Sequence, residues 1–419
     1  MLKKKLKPFQ QHGSNFLVAN PHALLADEPG LGKTIQAIDA AVRLNLRRVL
    51  VVCPASVRMG WSQELYECGA EGLWTVVSYE QAVQGGHVFS GYDGLILDEA
   101  HYLKTPDSKR TQAIFGPKGY ARASSLKARW ALTGTPVLNR PRELWPLLKN
   151  LHVGFAEMKW ATYAQRYCAA HFNGREMDTR GASNVDELNI RLGGFMLRRT
   201  KAEVLPELPA RIVTRVPIKV GEDAQRLLDR AEREIIDREA MISSTKENFS
   251  ALGDLSKMLH ATGMAKVEAT AAFVQDLLET EEKVVVFYKH TAVGKALWEK
   301  LQPAVVYAGG MSDAVKQGGI DGFRDPNGPR VFLGQIQAAG TGINGLQEVA
   351  SSVVFAEMSW VPGEMSQAID RLHRIGQKAG VVNAYILHAP GTMESAVLGA
   401  QNSKGAVVGQ LMGEDGWKA

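Results

Sequence analysis

Nine short apolar runs, separated by stretches long enough to form a helix, restrict this chain to one class of fold. In the first half they are RVLVVCP (48–54), LWTVVSY (73–79), GLILDEA (94–100) and RWALTGTP (129–136). In the second half they are KVVVFYK (283–289), AVVYAGG (304–310), RVFLGQI (330–336), SVVFAEM (352–358) and VVNAYILH (381–388). A strand that is apolar at consecutive positions must be covered on both faces, and parallel strands need crossovers of helix length. The runs fall into two series, so the expected fold class is α/β with two lobes, each a mostly parallel sheet flanked by helices.

The segments between the runs divide the chain further. Residues 150–195 mix aromatic, glycine and polar positions and read as a compact insertion in a first lobe of residues 1–205. PELPARIVTRVPIKV (206–220) holds three prolines and reads as an extended linker. The charged stretch 221–247 places Leu227, Leu228, Ala231, Ile235 and Ile236 at helical spacing, so 221–265 is expected to be a helical protrusion. Residues 266–419 then form the second lobe, ending in a C-terminal helix.

Composition excludes several classes of protein. No apolar run approaches the 18 or more residues that span a bilayer, so no membrane partner is expected. Cys53, Cys68 and Cys168 are too few for a disulfide framework and lack metal-ligand spacing, which favours a reducing, intracellular compartment. The net charge of +5 is unevenly distributed. Residues 1–210 hold 27 Lys and Arg against 19 Asp and Glu, while residues 211–419 hold 22 against 25. The first half is therefore the expected face for a polyanion. Residues 104–129 carry seven of its bases and one acid.

Three motifs carry chemistry. ADEPGLGKT (26–34) follows an apolar run and opens a helix, so its backbone N–H groups and the helix dipole point at a phosphate. Asp27, Gly30, Leu31, Gly32, Lys33 and Thr34 are candidate nucleotide contacts. Lys33 is expected to reach the β- and γ-phosphates of ATP, and Thr34 to place its hydroxyl on Mg²⁺. The strict phosphate-loop pattern has Gly where this chain has Asp27. LILDEAH (95–101) is a strand ending in two carboxylates: Asp98 as a second Mg²⁺ ligand and Glu99 as the base that activates water. Neighbouring carboxylates repel unless a cation lies between them. His101 is expected to couple this site to the other lobe, and Gln367 is a second coupling candidate. In QAIDRLHRIGQ (367–377), Arg371 and Arg374 are three apart and would share a helix face as arginine fingers on the γ-phosphoryl group.

Taken in order, these segments resemble the Swi/Snf-type DNA-dependent ATPases of helicase superfamily two, over nearly the whole chain. LKPFQQHG (6–13) resembles the family's adenine-reading motif, which implies that Gln10 bonds the adenine and Phe9 packs nearby. DEPGLGKT, CPASVRMGW (53–61), DEAH, LTGTP (132–136), MLRRTKAEVLPELP (196–209), AAGTGIN (338–344) and FAEMSWVPGEMSQAIDRLHRIGQ (355–377) follow in family order. RYCAAHFNG (166–174), Asp178, GASN (181–184), Glu187 and Leu188 are similar to the annealing-helicase-like branch. Gln10 falls ten residues from the start, and no further module is recognisable, so a minimal motor of phage or bacterial type is expected. The resemblance implies two RecA-like lobes, with ATP and Mg²⁺ as cofactors and Gly342 among the nucleotide contacts.

It also implies translocation along double-stranded or branched DNA, gripped mainly through phosphates. Ser56, Arg58, Ser78, Tyr79, Lys104, Lys109, Arg110, Thr133, Gly134 and Thr135 are the candidate contacts in the first lobe. Lys289, His290, Gly340, Thr341 and Trp360 are those in the second. Thr133 to Thr135 are also expected to couple DNA to Asp98 and Glu99. A monomer is expected, in the cytoplasm of a prokaryotic or phage-infected cell or in a eukaryotic nucleus, with replication, repair or transcription proteins as candidate partners. The alternatives are a strand-separating DNA or RNA helicase of the same superfamily and a non-catalytic, ATP-switched DNA-binding adaptor.

Overall fold

The structure, a computed structural model, describes residues 2–70, 72–85, 91–122, 125–136, 140–221, 226, 250–339, 343–359, 362–392 and 394. The chain divides into two compact units at Leu208/Pro209. In the first unit the strands are β1 (His22–Leu25), β2 (Arg48–Cys53), β3 (Leu73–Ser78), β4 (Gly94–Asp98), β5 (Ala128–Leu132), β6 (His171–Phe172), β7 (Met177–Asp178) and β8 (Met196–Leu197). Six of them form one sheet in the order β3-β2-β4-β5-β1-β8, with every neighbouring pair parallel. The other two, β6 and β7, pair as a separate antiparallel hairpin.

Alternation along the strands sorts their side chains into two cores. Leu50, Val52, Leu95, Leu97 and Ala131 pack on one face with Phe155, Tyr163 and Tyr167. Val49, Val51, Ile96, Trp130 and Leu132 pack on the other with Ile35, Ile38 and Trp61. Each fully buried Val or Leu contributes roughly 1.5–3 kcal/mol, so a sheet covered on both faces explains the continuous apolar runs. Tyr163, Tyr167, Leu188 and Leu192 are buried in the same core as the strands, so segment 150–195 packs as an integral layer of this unit.

Local signals set the helix starts. Helix α1 (Pro8–Ala19) begins on a proline, and the Gln10 side chain accepts from the N–H of Lys7, the residue before the helix. Helix α2 is Lys33–Arg43 and α3 is Arg58–Cys68. Ser78 caps α4 (Tyr79–Gln84), and Ser108 caps α5 (Lys109–Phe115).

The second unit holds β9 (Ala210–Pro217), β10 (Val284–Tyr288), β11 (Ala304–Tyr307), β12 (Val331–Gln335), β13 (Ser352–Phe355) and β14 (Val381–His388). They form a wholly parallel sheet in the order β11-β12-β10-β13-β14-β9. Val284, Val286, Val331, Leu333 and Val354 line one core face. Val285, Phe287, Phe332, Val353 and Phe355 are equally buried and alternate with them.

Two expectations are corrected here. Segment 206–220 is more than a linker: Ala210–Pro217 pair with Val381–His388 over eight residues. As the edge strand it is solvated on one side and tolerates Pro217, so it lacks the apolar continuity of the buried strands. Within the expected protrusion, the helix Ser250–Ala265 does not stand clear of the core, because Met258, Leu259 and Thr262 are buried. Residues 222–225 and 227–249 and the expected C-terminal helix lie outside the described residues.

Candidate nucleotide site

Strands β1, β5 and β4 lie side by side and deliver three loops to their C-terminal ends, where parallel α/β sheets place ligands. The first loop joins β1 to α2. Gly30 and Gly32 take φ of 89° and 74°, a left-handed conformation that favours glycine, and the turn leads into the α2 N-terminus. Lys33 Nζ folds back to donate to the Asp27 carbonyl at 2.8 Å. Burial pushes its ammonium pKa down, and the carboxylates of Glu99, Asp27 and Asp98 push it back up. Lys33 and Thr34, at the start of α2, are both partly exposed.

Residues that sequence reasoning passed over hold this loop in place. Asp27 is fully buried and Arg199 nearly so. Arg199 Nε donates to Asp27 Oδ1 at 3.0 Å and Nη2 to Oδ2 at 2.5 Å. Gln36 Nε2 donates to the same carboxylate at 3.1 Å, and Arg199 Nη2 donates to Gln36 Oε1 at 2.9 Å. Arg199 Nη1 also donates to the Phe9 carbonyl, and its guanidinium lies 5.7 Å from the Phe9 ring centroid. Asp27 is thus an anchor beneath the loop, not the nucleotide contact expected of it, because its oxygens are committed to Arg199 and Gln36. Arg198 Nη1 donates to the carbonyls of Ala26 and Gly134, and Lys201 N to Glu28 Oε2. The signal was the LRRTK segment itself, whose arginines follow β8 directly.

Gln10 is buried against the loop. Its Oε1 accepts from Lys7 N at 2.9 Å and its Nε2 donates to the Leu31 carbonyl at 3.3 Å. A Cβ at Gly32 would meet Gln10 Nε2 at 2.5 Å, so the expected adenine-reading residue and the phosphate loop share a contact.

At the tip of β4, Asp98 Oδ2 accepts from Trp61 Nε1 at 2.7 Å and Oδ1 from Glu99 N at 2.9 Å. Burial, and then the Glu99 charge, push the Asp98 carboxyl up to about 6. Glu99 sits at φ 47°, an uncommon conformation for a residue with a side chain and one that gathers at active sites. Its Oε2 lies 3.2 Å from His101 Nδ1, which also bonds Thr133 Oγ1 at 2.9 Å. That threonine oxygen accepts in turn from Thr135 N at 3.1 Å. A Cβ on Gly134 would come within 2.6 Å of Pro29, so the turn after β5 touches the phosphate loop directly.

The structure corrects several assignments. Within its own unit, His101 lies between Glu99 and Thr133 of the β5 turn. Thr133 is fully buried and Gly134 is enclosed, so neither presents a surface to DNA; Thr135 is partly exposed. Ser78 and Tyr79 are buried as well: the Ser78 hydroxyl caps α4, and the Tyr79 hydroxyl donates to the Asp98 carbonyl at 2.9 Å. Arg110 pairs with Glu80 at 2.7 Å and lies over the Tyr102 ring. Further along the basic run, Arg129 donates to the Ala121 carbonyl and Arg122 to Asn150, so part of that charge serves the fold. Lys109 is exposed, whereas Ser56, Arg58 and Lys104 are partly so.

In the second unit, Arg371 and Arg374 lie beyond the helix Pro362–Ile369, in a turn, and not on one helix face. Short-range bonds such as Leu372 N to Ile369 O and Gln377 N to Arg374 O tighten the chain there, and Gly376 takes φ 95°. Arg374 Nη1 donates to Asn344 Oδ1 at 2.6 Å. Burial, and then the neighbouring Arg371 charge, pull the Arg374 guanidinium down to about 10. The Lys289 and His290 N–H groups both donate to buried Glu357, which also bonds His290 Nδ1 at 2.6 Å. Gln367 is buried. Gly340, Thr341, Gly342 and Trp360 lie outside the described residues. Among the described residues no helix is long and apolar enough to cross a membrane.

Comparison with known proteins places this geometry. Residues 9–90 and 80–266 match the SNF2-related domain, and residues 266–376 match the helicase conserved C-terminal domain. The human DNA annealing helicase and endonuclease ZRANB3 is 32% identical over 98% of this chain and 41% of its own length. The SWI/SNF-related matrix-associated actin-dependent regulator of chromatin subfamily A-like protein 1 of Xenopus tropicalis is 31% identical, over 98% of this chain and 45% of its own. The chain thus spans less than half the length of these curated relatives. A solved Sulfolobus solfataricus SWI2/SNF2 ATPase core in complex with dsDNA aligns at 22% identity and a TM-score of 0.45, covering 97% of this chain and 94% of that one. With the family match covering more than half of its residues, this chain belongs to the SNF2-related family of helicase-like ATPases.

Proposed function

We propose that the chain is a DNA-stimulated ATP hydrolase that moves along double-stranded DNA. The observation that carries this reading is the path of close contacts from Glu99 Oε2, 3.2 Å from His101 Nδ1, to Thr133 Oγ1, 2.9 Å from the same nitrogen, on a turn that packs against the phosphate loop at Pro29. A base that activates water thereby lies close to the turn after β5, where Thr135 is partly exposed, so a load felt at Thr135 changes the base's position. Names among the relatives, a DNA annealing helicase for one, support DNA as that load.

In this mechanism Lys33 exchanges the Asp27 carbonyl for the β- and γ-phosphates. Thr34 and Asp98 would hold Mg²⁺: a carboxyl pushed up to about 6 by burial and a neighbouring acid gains from a dication. When bound, the ion neutralises phosphate charge. Glu99 takes the proton of the attacking water. Arg371 and Arg374 stabilise charge on the transferring group, and two guanidiniums that repel each other favour an anion between them.

The test is phosphate release with and without duplex DNA. Wild type is expected to be slow alone and faster with duplex. Lys33→Ala and Glu99→Gln should be inactive in both conditions, with Glu99→Gln still binding ATP, and Arg374→Ala should lose the stimulation. Normal turnover by Lys33→Ala, or indifference of wild type to DNA, refutes the reading.

A further inference from the structure

The turn that carries Arg371 and Arg374 is held from two directions. Arg374 Nη1 donates to Asn344 Oδ1 at 2.6 Å, and Gln377 Nε2 donates to the Ala350 and Leu372 carbonyls at 3.0 and 3.1 Å. These bonds fix the turn to the segment before β13. The residues beside the arginines reach the start of β9 instead. His373 Nε2 lies 2.9 Å from the Pro209 carbonyl. A carbonyl only accepts, so the imidazole donates and its Nε2 carries the proton. Asp370, buried, lies 4.0 Å from Arg211.

Pro209 is the residue at which the second unit begins. It precedes the pairing of β9 with β14, which starts at Ala210. The sheet is therefore complete without the His373 bond, and Pro209 is partly exposed, where water can satisfy a carbonyl. What the bond does is join the arginine turn to the incoming chain.

That chain comes straight from the anchor of the phosphate loop. Arg199 holds Asp27, Lys201 N donates to Glu28 Oε2, and Leu205 is buried. Pro206, Glu207 and Leu208 are all that separate Leu205 from Pro209. Leu208 N donates back to the Leu205 carbonyl at 3.0 Å, which shortens the path further. Four residue steps reach at most about 14 Å, and a proline stiffens them. A strap with so little slack passes on a displacement of either end. We propose that His373 is a positioning residue for Arg371 and Arg374: through the Pro209 carbonyl it ties their turn to this strap, so that a pull on the strap moves the two guanidiniums. The inference rests on the arginine-finger reading above and adds to it the route by which the fingers are placed.

The test is steady-state ATP hydrolysis by the full chain at saturating duplex DNA, with kcat and KM separated. The proteins are wild type, His373→Ala, His373→Gln, Arg374→Ala and the double variant His373→Ala with Arg374→Ala. His373→Ala should lower kcat by about 10–100-fold, the scale of a misplacement of about 1 Å, with KM for ATP unchanged. His373→Gln keeps an N–H donor within reach of the Pro209 carbonyl and should recover most of that loss. On top of Arg374→Ala, the His373→Ala substitution should cost far less than it does in wild type, because residues that act as a unit are not additive. This comparison holds even if His373→Ala is also less stable, since a loss of folded protein lowers both backgrounds by the same factor. Wild-type kcat in His373→Ala, no recovery in His373→Gln, or the same factor lost with and without Arg374 overturns the assignment. Wild-type turnover by Arg374→Ala would instead overturn the finger reading itself, so the two failures are distinguishable.

Discussion

Replacing Arg199 with Leu tests whether the carboxylate under the phosphate loop is an anchor or a ligand. Asp27 has no exposed surface, and its oxygens are held by Arg199 and Gln36. Removing the guanidinium strands a buried charge, which costs about 3–5 kcal/mol. The same substitution releases the Phe9 carbonyl and Gln36 Oε1, both partners of Arg199. In a unit of this size each 1 kcal/mol moves the midpoint by roughly 2–4 °C, so the first unit's melting transition should fall by about 6–20 °C. Calorimetry of the full chain follows it. The double variant Asp27→Ala with Arg199→Leu should recover most of the loss, since no charge is then left unpaired. ATP affinity of Arg199→Leu should also drop well below its melting temperature, because the loop, Gln10 and Gln36 share the Leu31 carbonyl as acceptor. A single variant within about 1 kcal/mol of wild type, or a double variant that loses the sum of both singles, refutes the anchor reasoning.

Further substitutions probe other parts of the structure. Trp61→Phe removes a donor to Asp98 that favours its charged form, so the acid limb of kcat/KM, which reports the free enzyme, should move up from about 6; an unmoved limb refutes an orienting role for Trp61. The raised Asp98 pKa also fixes a sign for stability: its contribution is fully present below about pH 4 and is lost as pH rises through about 6. Urea unfolding without nucleotide, measured for wild type and Asp98→Ala between pH 4 and 7, reads that difference. Gly134→Ala forces a Cβ to within 2.6 Å of the Pro29 ring and should cost about 1–3 kcal/mol, with DNA stimulation lost before basal hydrolysis; equal loss of both speaks against coupling. In the second unit, Lys266→Met leaves Glu394 buried without its 2.6 Å partner and should cost about 3–5 kcal/mol, which adding Glu394→Gln should largely restore.

What the sequence determined by itself was whatever depends on neighbours along the chain. Strands β2, β4, β5, β10 and β13 are apolar at nearly every position because both faces are buried, so composition announced them and with them the two parallel sheets. The glycines before Lys33 and the paired acids after β4 were legible for the same reason, since a phosphate turn and a strand-tip carboxylate pair are local chemistry. Edge elements were not: β8 is two residues long, and β9 has no buried residue and carries a proline, so neither has the signature of a covered strand. Tertiary structure alone decided which side chains meet. Arg199 reaches Asp27 across 172 residues, Trp61 reaches Asp98 across 37, and Tyr79 turns inward to the Asp98 carbonyl although its position after a strand suggested a DNA contact. A hydrogen bond depends on distance in space, and a one-dimensional pattern records only distance along the chain.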